Sequence, residues 1–90
     1  LMQNYPNPFN PTTEIRYLVP EVRDRRSDVS RVTLSVYDLL GREVATLVNE
    51  DKLPGTYSVS FDATRLPSGV YIYRLTAGTY SQTRKMILAK

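Results

Sequence analysis

Polar and apolar residues alternate along most of this chain, and no window of useful length shows an apolar period of 3.6. Residues 13–19 set Ile15, Tyr17 and Val19 on one face against Glu14, Arg16 and Leu18 on the other, and Pro20 ends the run. Residues 31–37 give the cleanest strand, with Val32, Leu34 and Val36 pointing one way and Thr33, Ser35 and Tyr37 the other. Asp38-Leu39-Leu40-Gly41 reads as a turn with glycine where a positive φ is needed. Residues 43–48 return as a third strand, and residues 49–55 form a polar turn. In a fourth strand Tyr57, Val59 and Phe61 alternate with Ser58, Ser60 and Asp62. After a loop over residues 63–69, residues 70–77 are apolar on both faces, which predicts a central strand covered on both sides. Gly78-Thr79 then makes a tight hairpin into residues 80–88.

Two segments lack this alternation. Residues 1–12 form an extended Asn/Pro-rich lead-in: prolines at 6, 8 and 11 forbid helix and remove ladder donors. Tyr5 and Phe9 are its expected apolar anchors, and its asparagines suit side-chain-to-backbone turns. Residues 21–30 (EVRDRRSDVS) read as a mobile, protease-sensitive surface loop. Short strands at this spacing predict one all-β domain over residues 1–90, an Ig-like antiparallel β-sandwich of six strands with negligible helix. A seventh strand would form if the lead-in pairs at an edge.

Gly55-Thr56-Tyr57, Gly69-Val70-Tyr71 and Gly78-Thr79-Tyr80 each place a tyrosine two residues after a glycine, at spacings too irregular for a solenoid or propeller repeat. In Leu66-x-x-Gly69-x-Tyr71 the ring can fold over the core while its hydroxyl bonds to upstream backbone, the tyrosine corner of Ig-like sandwiches.

Composition removes most chemistries. The chain has no His and no Cys, so the usual zinc and copper ligand sets, the commonest general base and the thiol nucleophile are all missing. Ser68-Gly69 lacks the preceding glycine of a nucleophile elbow. Asp24 with Asp28, and Glu50 with Asp51, are too few and too widely spaced for a calcium loop. No glycine loop cradles phosphate. The expectation is a non-enzymatic domain with no metal and no cofactor. No run of about 18 apolar residues is present, so no transmembrane segment is expected. The opening Leu-Met-Gln reads as part of something longer. Net charge is +3, unevenly placed: Arg65, Arg74, Arg84, Lys85 and Lys90 follow residue 62 with no acid among them. A basic end suits an anionic partner, or is simply a solvated face.

Read together, QNYPNPFNPTTEIRY at residues 3–17, VTLSVYDLLGREVATL at 32–47, GTYSVSFD at 55–62, LPSGVYIYRL at 66–75 and KMILAK at 85–90 resemble the C-terminal sorting domains of the bacterial type IX secretion system, and the related Ig-like domain of flagellar hook-capping proteins. The longer, charged segment at 21–30 is the one departure. The resemblance implies a non-catalytic module at the carboxyl end of an exported cargo protein. In transit it would be read in the periplasm by the outer-membrane secretion machinery, and the cargo would finish at the cell surface or outside the cell. In many members a sortase-like surface protease removes the domain. The residues matching the sorting motifs are Gly55, Tyr57, Pro67, Gly69, Tyr71, Lys85 and Lys90. A terminal strand with basic ends is also a natural edge for a partner to grip by backbone pairing and charge. Rival readings are a structural Ig-like spacer or assembly domain and a carbohydrate-binding module. The second is disfavoured by the absence of Trp and by tyrosines placed inward or at corners. Nucleic-acid binding is not expected from so small a basic balance.

Overall fold

The computed structural model describes residues 1–21 and 29–90. The described residues form six strands: β1 (Thr12–Val19), β2 (Ser30–Tyr37), β3 (Glu43–Lys52), β4 (Gly55–Asp62), β5 (Gly69–Ala77) and β6 (Tyr80–Leu88). They build two antiparallel sheets, one in the order β1-β4 and one in the order β3-β2-β5-β6. The all-β Ig-like sandwich expected from the alternation is therefore what forms.

The period-2 pattern is what buries the core. Ile15, Tyr17 and Val19 of β1 and Phe61 of β4 face Val32, Leu34 and Val36 of β2 and Tyr71, Tyr73 and Leu75 of β5, all buried. Met86 and Leu88 complete that layer from β6. Each such side chain contributes roughly 1.5–3 kcal/mol relative to exposure.

Four expectations need correction. β3 runs on to Lys52, so the turn before β4 is short: Ser30 pairs with Lys52 and Thr33 with Asn49 through the backbone. As an edge strand, β3 has no alternation there for a sequence reading to detect. Ser30 belongs to β2 rather than to the preceding loop. Glu21 and Val29 are exposed and outside any strand, and the remainder of the mobile-loop expectation, with Asp24 and Asp28, falls on residues 22–28, outside the described residues. β5 is central by hydrogen bonding, but its second face is only half covered, since Val70 and Ile72 are half-buried and Arg74 is exposed.

The fourth correction concerns the lead-in. Phe9 is buried as expected, but Tyr5 is 82% exposed. Tyr5 forms an antiparallel bridge with Glu14, whose side chain points outward on β1, so the tyrosine ring must point outward too. The interior position beside it goes to Asn4, which is 2% exposed. Its amide donates to the Pro6 carbonyl and Thr13 Oγ1, both at 3.1 Å. The Tyr73 hydroxyl accepts from Asn4 N–H at 2.9 Å and donates to the Met2 carbonyl at 2.8 Å.

No seventh strand forms from the lead-in, yet it acts as a clasp. Its first residues pair with β1 through Met2 to Arg16 and Tyr5 to Glu14, and Phe9 then pairs with β6 through Ile87 and Ala89. One side of the sandwich is closed by this arm between β1 and β6. On the other side β3 and β4 stand at the two sheet edges, joined by a short turn.

Candidate recognition surface

The two Gly-x-Tyr corners use one local device. Gly55 and Gly69 both have φ of 156°, a conformation that side chains with a Cβ rarely adopt. Two residues later a tyrosine turns back over the strand start, and its hydroxyl donates to the carbonyl four residues upstream. Tyr71 reaches Pro67 at 2.6 Å and Tyr57 reaches Leu53 at 2.7 Å. The corner expected at Tyr71 is present, and a second stands at Tyr57. The third member, Gly78-Thr79-Tyr80, is a plain hairpin with Gly78 at φ 62°.

The register separates the two corners. Gly55 pairs with Val19 at one end of β1, and Asp62 pairs with Thr12 at the other. Eight residues of strand span about 23 Å. The Tyr71 corner lies at the Asp62 end, because Gly69 pairs with Leu88 and Leu88 bridges to Phe9, close before Thr12. The seven residues matching the sorting motifs therefore do not make one surface.

At the Tyr71 end the chain's last residues are tied down. Lys90 N–H donates to Ser68 Oγ at 3.1 Å, and Lys90 Nζ donates to the Thr64 carbonyl at 2.6 Å. Asp62 accepts from the Thr64 hydroxyl and, at 2.9 Å, from Thr64 N–H. Those bonds hold the Asp62 carboxyl below its ordinary range, with Lys90 adding to the effect. Pro67, Gly69, Tyr71 and Lys90 thus converge on one loop, between β4 and β5. Tyr71 is 5% exposed, and burial pushes its hydroxyl above the ordinary phenol value, with nearby Asp38 adding to the rise. Lys90 is itself exposed, and its two bonds hold it against this loop.

The other corner is more open. Tyr57 is half-buried, stacks on Tyr17 with centroids 5.6 Å apart, and carries Lys52 Nζ 4.4 Å from its ring centroid. Lys52 also pairs with Glu50 at 2.9 Å, which raises the ammonium and lowers the carboxyl relative to their ordinary values.

Lys85 stands apart from both corners, exposed on β6 beside Ile72 of β5. The expected grip on the β6 edge meets an obstacle there. The Lys85 carbonyl accepts from Gln3 Nε2 at 2.6 Å, Ile87 N–H donates to Asn7 Oδ1 at 2.9 Å, and Ile87 O and Ala89 N are bonded to Phe9. A partner strand pairing there must first displace the arm. Sequence reasoning missed Asn4 and Tyr73, which hold that arm. A polar residue buried by hydrogen bonds leaves no mark in a hydrophobic pattern.

Among the described residues no group of three or more acidic side chains is placed to hold a metal ion. No helix among the described residues is long and apolar enough to cross a membrane. A family model described as "Secretion system C-terminal sorting domain" matches residues 3–89. No curated protein and no solved structure matches the chain significantly.

Proposed function

Because the chain belongs to the secretion system C-terminal sorting domain family, we propose that it is the non-catalytic carboxyl-terminal module of a larger cargo protein, directing that cargo across the outer membrane through the type IX machinery. The family match over residues 3–89 is the observation that carries this reading. Membership implies interaction with that machinery and a destination at the cell surface or outside the cell. Passage through the periplasm and removal by a sortase-like surface protease belong to the proposal.

The part of the domain read by the machinery is the Tyr71 end. Pro67, Gly69 and Tyr71 shape the loop, and Lys90 joins it to the end of β6, so fold and terminal segment form one local structure. Gly55 and Tyr57 support the fold from the far end, and Lys85 contributes an exposed charge on β6. The sandwich itself offers the receptor a fixed shape, so recognition does not require the signal to fold on contact.

The test fuses residues 1–90 to the carboxyl end of a periplasmic reporter in a host with type IX machinery. The reporter is expected at the cell surface or in the medium. Retention of a correctly folded fusion in the periplasm would overturn the sorting role and leave a structural spacer.

A further inference from the structure

The outer face of the four-stranded sheet carries a row of four side chains, of which the sorting role uses only Lys85. Tyr37 of β2 pairs with Glu43 of β3 and with Ile72 of β5, and Ile72 pairs with Lys85 of β6. Cross-strand partners share a face, so the four side chains stand side by side in the order acid, aromatic, aliphatic, base, about 14 Å from end to end. Tyr37 and Ile72 are half-buried, and the two charges are exposed at the flanks. Neither Glu43 nor Lys85 has an ion-pair partner among the described residues.

Beyond this row, toward the Tyr71 end, the face becomes apolar on both sides. On the β5–β6 side Val70 pairs with Ile87, which is 43% exposed. On the β2–β3 side the turn holds Leu39 and Leu40 at 64% and 79% exposure. The turn is locked: Asp38 Oδ1 accepts from Leu40 N–H at 2.9 Å and Arg42 N–H at 3.0 Å, and Asp38 Oδ2 accepts from Arg42 Nε at 2.8 Å. Leu39 borders a recess with Tyr37, Ile72 and Arg74 on the same outer face. Two leucines fixed in solvent by a rigid turn are preorganised to be covered.

We infer that this face is the interface of a symmetric homodimer. The row is antisymmetric in charge, which fits a second copy of the same chain. A two-fold axis in the contact plane, running along the strands between β2 and β5, lays β3 over the second copy's β6 and β2 over its β5. Glu43 then meets Lys85 of the second copy, the Tyr37 ring with the Arg74 guanidinium 5.2 Å from its centroid meets Ile72, and the Leu39–Leu40 turn meets Val70 and Ile87, each contact occurring twice. Aligned packing of two sheet faces is ordinary geometry. Four strands about 4.8 Å apart and about 25 Å long give a face on the order of 500 Å². That is below the roughly 800 Å² per partner of a standard stable interface, so a weak dimer is expected, with a dissociation constant on the order of 100 µM.

Sedimentation equilibrium on the 90-residue chain, from about 10 µM to about 1 mM, tests this. Wild type should show a reversible monomer–dimer equilibrium, and Leu39→Ser with Leu40→Ser should abolish it while circular dichroism stays β. Lys85→Glu alone and Glu43→Lys alone should each weaken association about tenfold, because the two-fold then sets like charges opposite each other twice. Mixing these two single variants should restore association as a heterodimer, because both contacts then pair opposite charges. A wild-type chain monomeric throughout the range, or a mixture no stronger than its separate components, overturns the proposal. So does a monomer that binds vesicles of equal phosphatidylcholine and phosphatidylglycerol through Leu39 and Leu40, which would give the face to lipid.

Discussion

The two tyrosine corners share a glycine conformation, a hydroxyl-to-carbonyl bond and a four-residue span, yet they stand in different surroundings. Tyr71 is buried under the β4–β5 loop, where Lys90 and Ser68 fasten the end of the described chain. Tyr57 is half-buried on the two-stranded sheet, flanked by Tyr17 and the Lys52–Glu50 pair. One sequence motif therefore fixes a strand start at both ends of the sandwich, and only at one end does it also organise the carboxyl-terminal residues. A motif match locates the device; its neighbours decide what it holds.

Truncation separates the corners most strongly. Tyr71→Ala removes a buried ring and its hydrogen bond and should cost about 3–5 kcal/mol. Tyr57→Ala, losing a half-exposed ring, should cost about 1–2 kcal/mol. Urea midpoints at constant m-value measure both. Equal losses would mean that the Tyr57 stack on Tyr17 matters as much as burial does.

The glycines should behave alike, which tests whether the device is the same. Gly55→Ala and Gly69→Ala each force a side chain into φ of 156° and should cost about 1–2 kcal/mol, read from the same melts. A Cβ at Gly69 meets nothing within 4 Å and the nearest neighbour of one at Gly55 is the Tyr57 side chain at 3.7 Å, ordinary van der Waals contact, so backbone strain rather than crowding sets the cost. An unchanged midpoint for either variant would remove strain from the account of that corner.

Removing only the hydroxyl gives a smaller contrast. Tyr71→Phe leaves the Pro67 carbonyl without its partner in a partly buried place and should cost about 1 kcal/mol; Tyr57→Phe, at an exposed bond, should cost about 0.3 kcal/mol.

The strands and the Tyr71 corner were legible because both rest on local signals: period-2 burial, punctuating turns, and a glycine two residues before a tyrosine. The end of β3 was not. Asn49, Glu50 and Asp51 are exposed on an edge strand, and only backbone pairing with β2 defines them as strand. The arm was misread at Tyr5, because which side chain points inward follows from its bridge to Glu14, a contact nine residues away. The candidate site was legible residue by residue but not as an assembly. Nothing local says that Lys90 reaches Thr64 or that Gly55 and Gly69 lie at opposite ends.

The smallest expected effects are those of pH. Asp62, Asp38 and Glu50 have carboxyls held below their ordinary values, Asp62 by Thr64, Asp38 by Arg42 and Glu50 by Lys52. A depressed carboxyl stabilises the fold above its unfolded pKa, and that contribution is lost as pH falls through the folded value. The melting midpoint should therefore fall modestly below about pH 4. Tyr71 and Tyr73, raised chiefly by burial, and Lys52, raised by Glu50, act in the other direction. Their stabilisation is complete below the unfolded value and is lost as pH rises through the folded one, above about pH 10. Asp62→Asn should flatten the acid limb without altering the alkaline one; an unchanged acid limb would assign it to Asp38 and Glu50.

The claim that the Tyr71 end is what the secretion machinery reads is tested most directly by exporting a reporter fused to residues 1–90 in two variants that keep the fold. One carries Pro67→Ala with Lys90→Gln; the other carries Tyr57→Phe with Lys52→Gln. With both shown by circular dichroism and thermal melting to remain folded, the first should leave the reporter in the periplasm and the second should reach the cell surface like wild type. Surface delivery by the first variant, or retention of the second, would contradict the assignment of recognition to the loop that Lys90 joins.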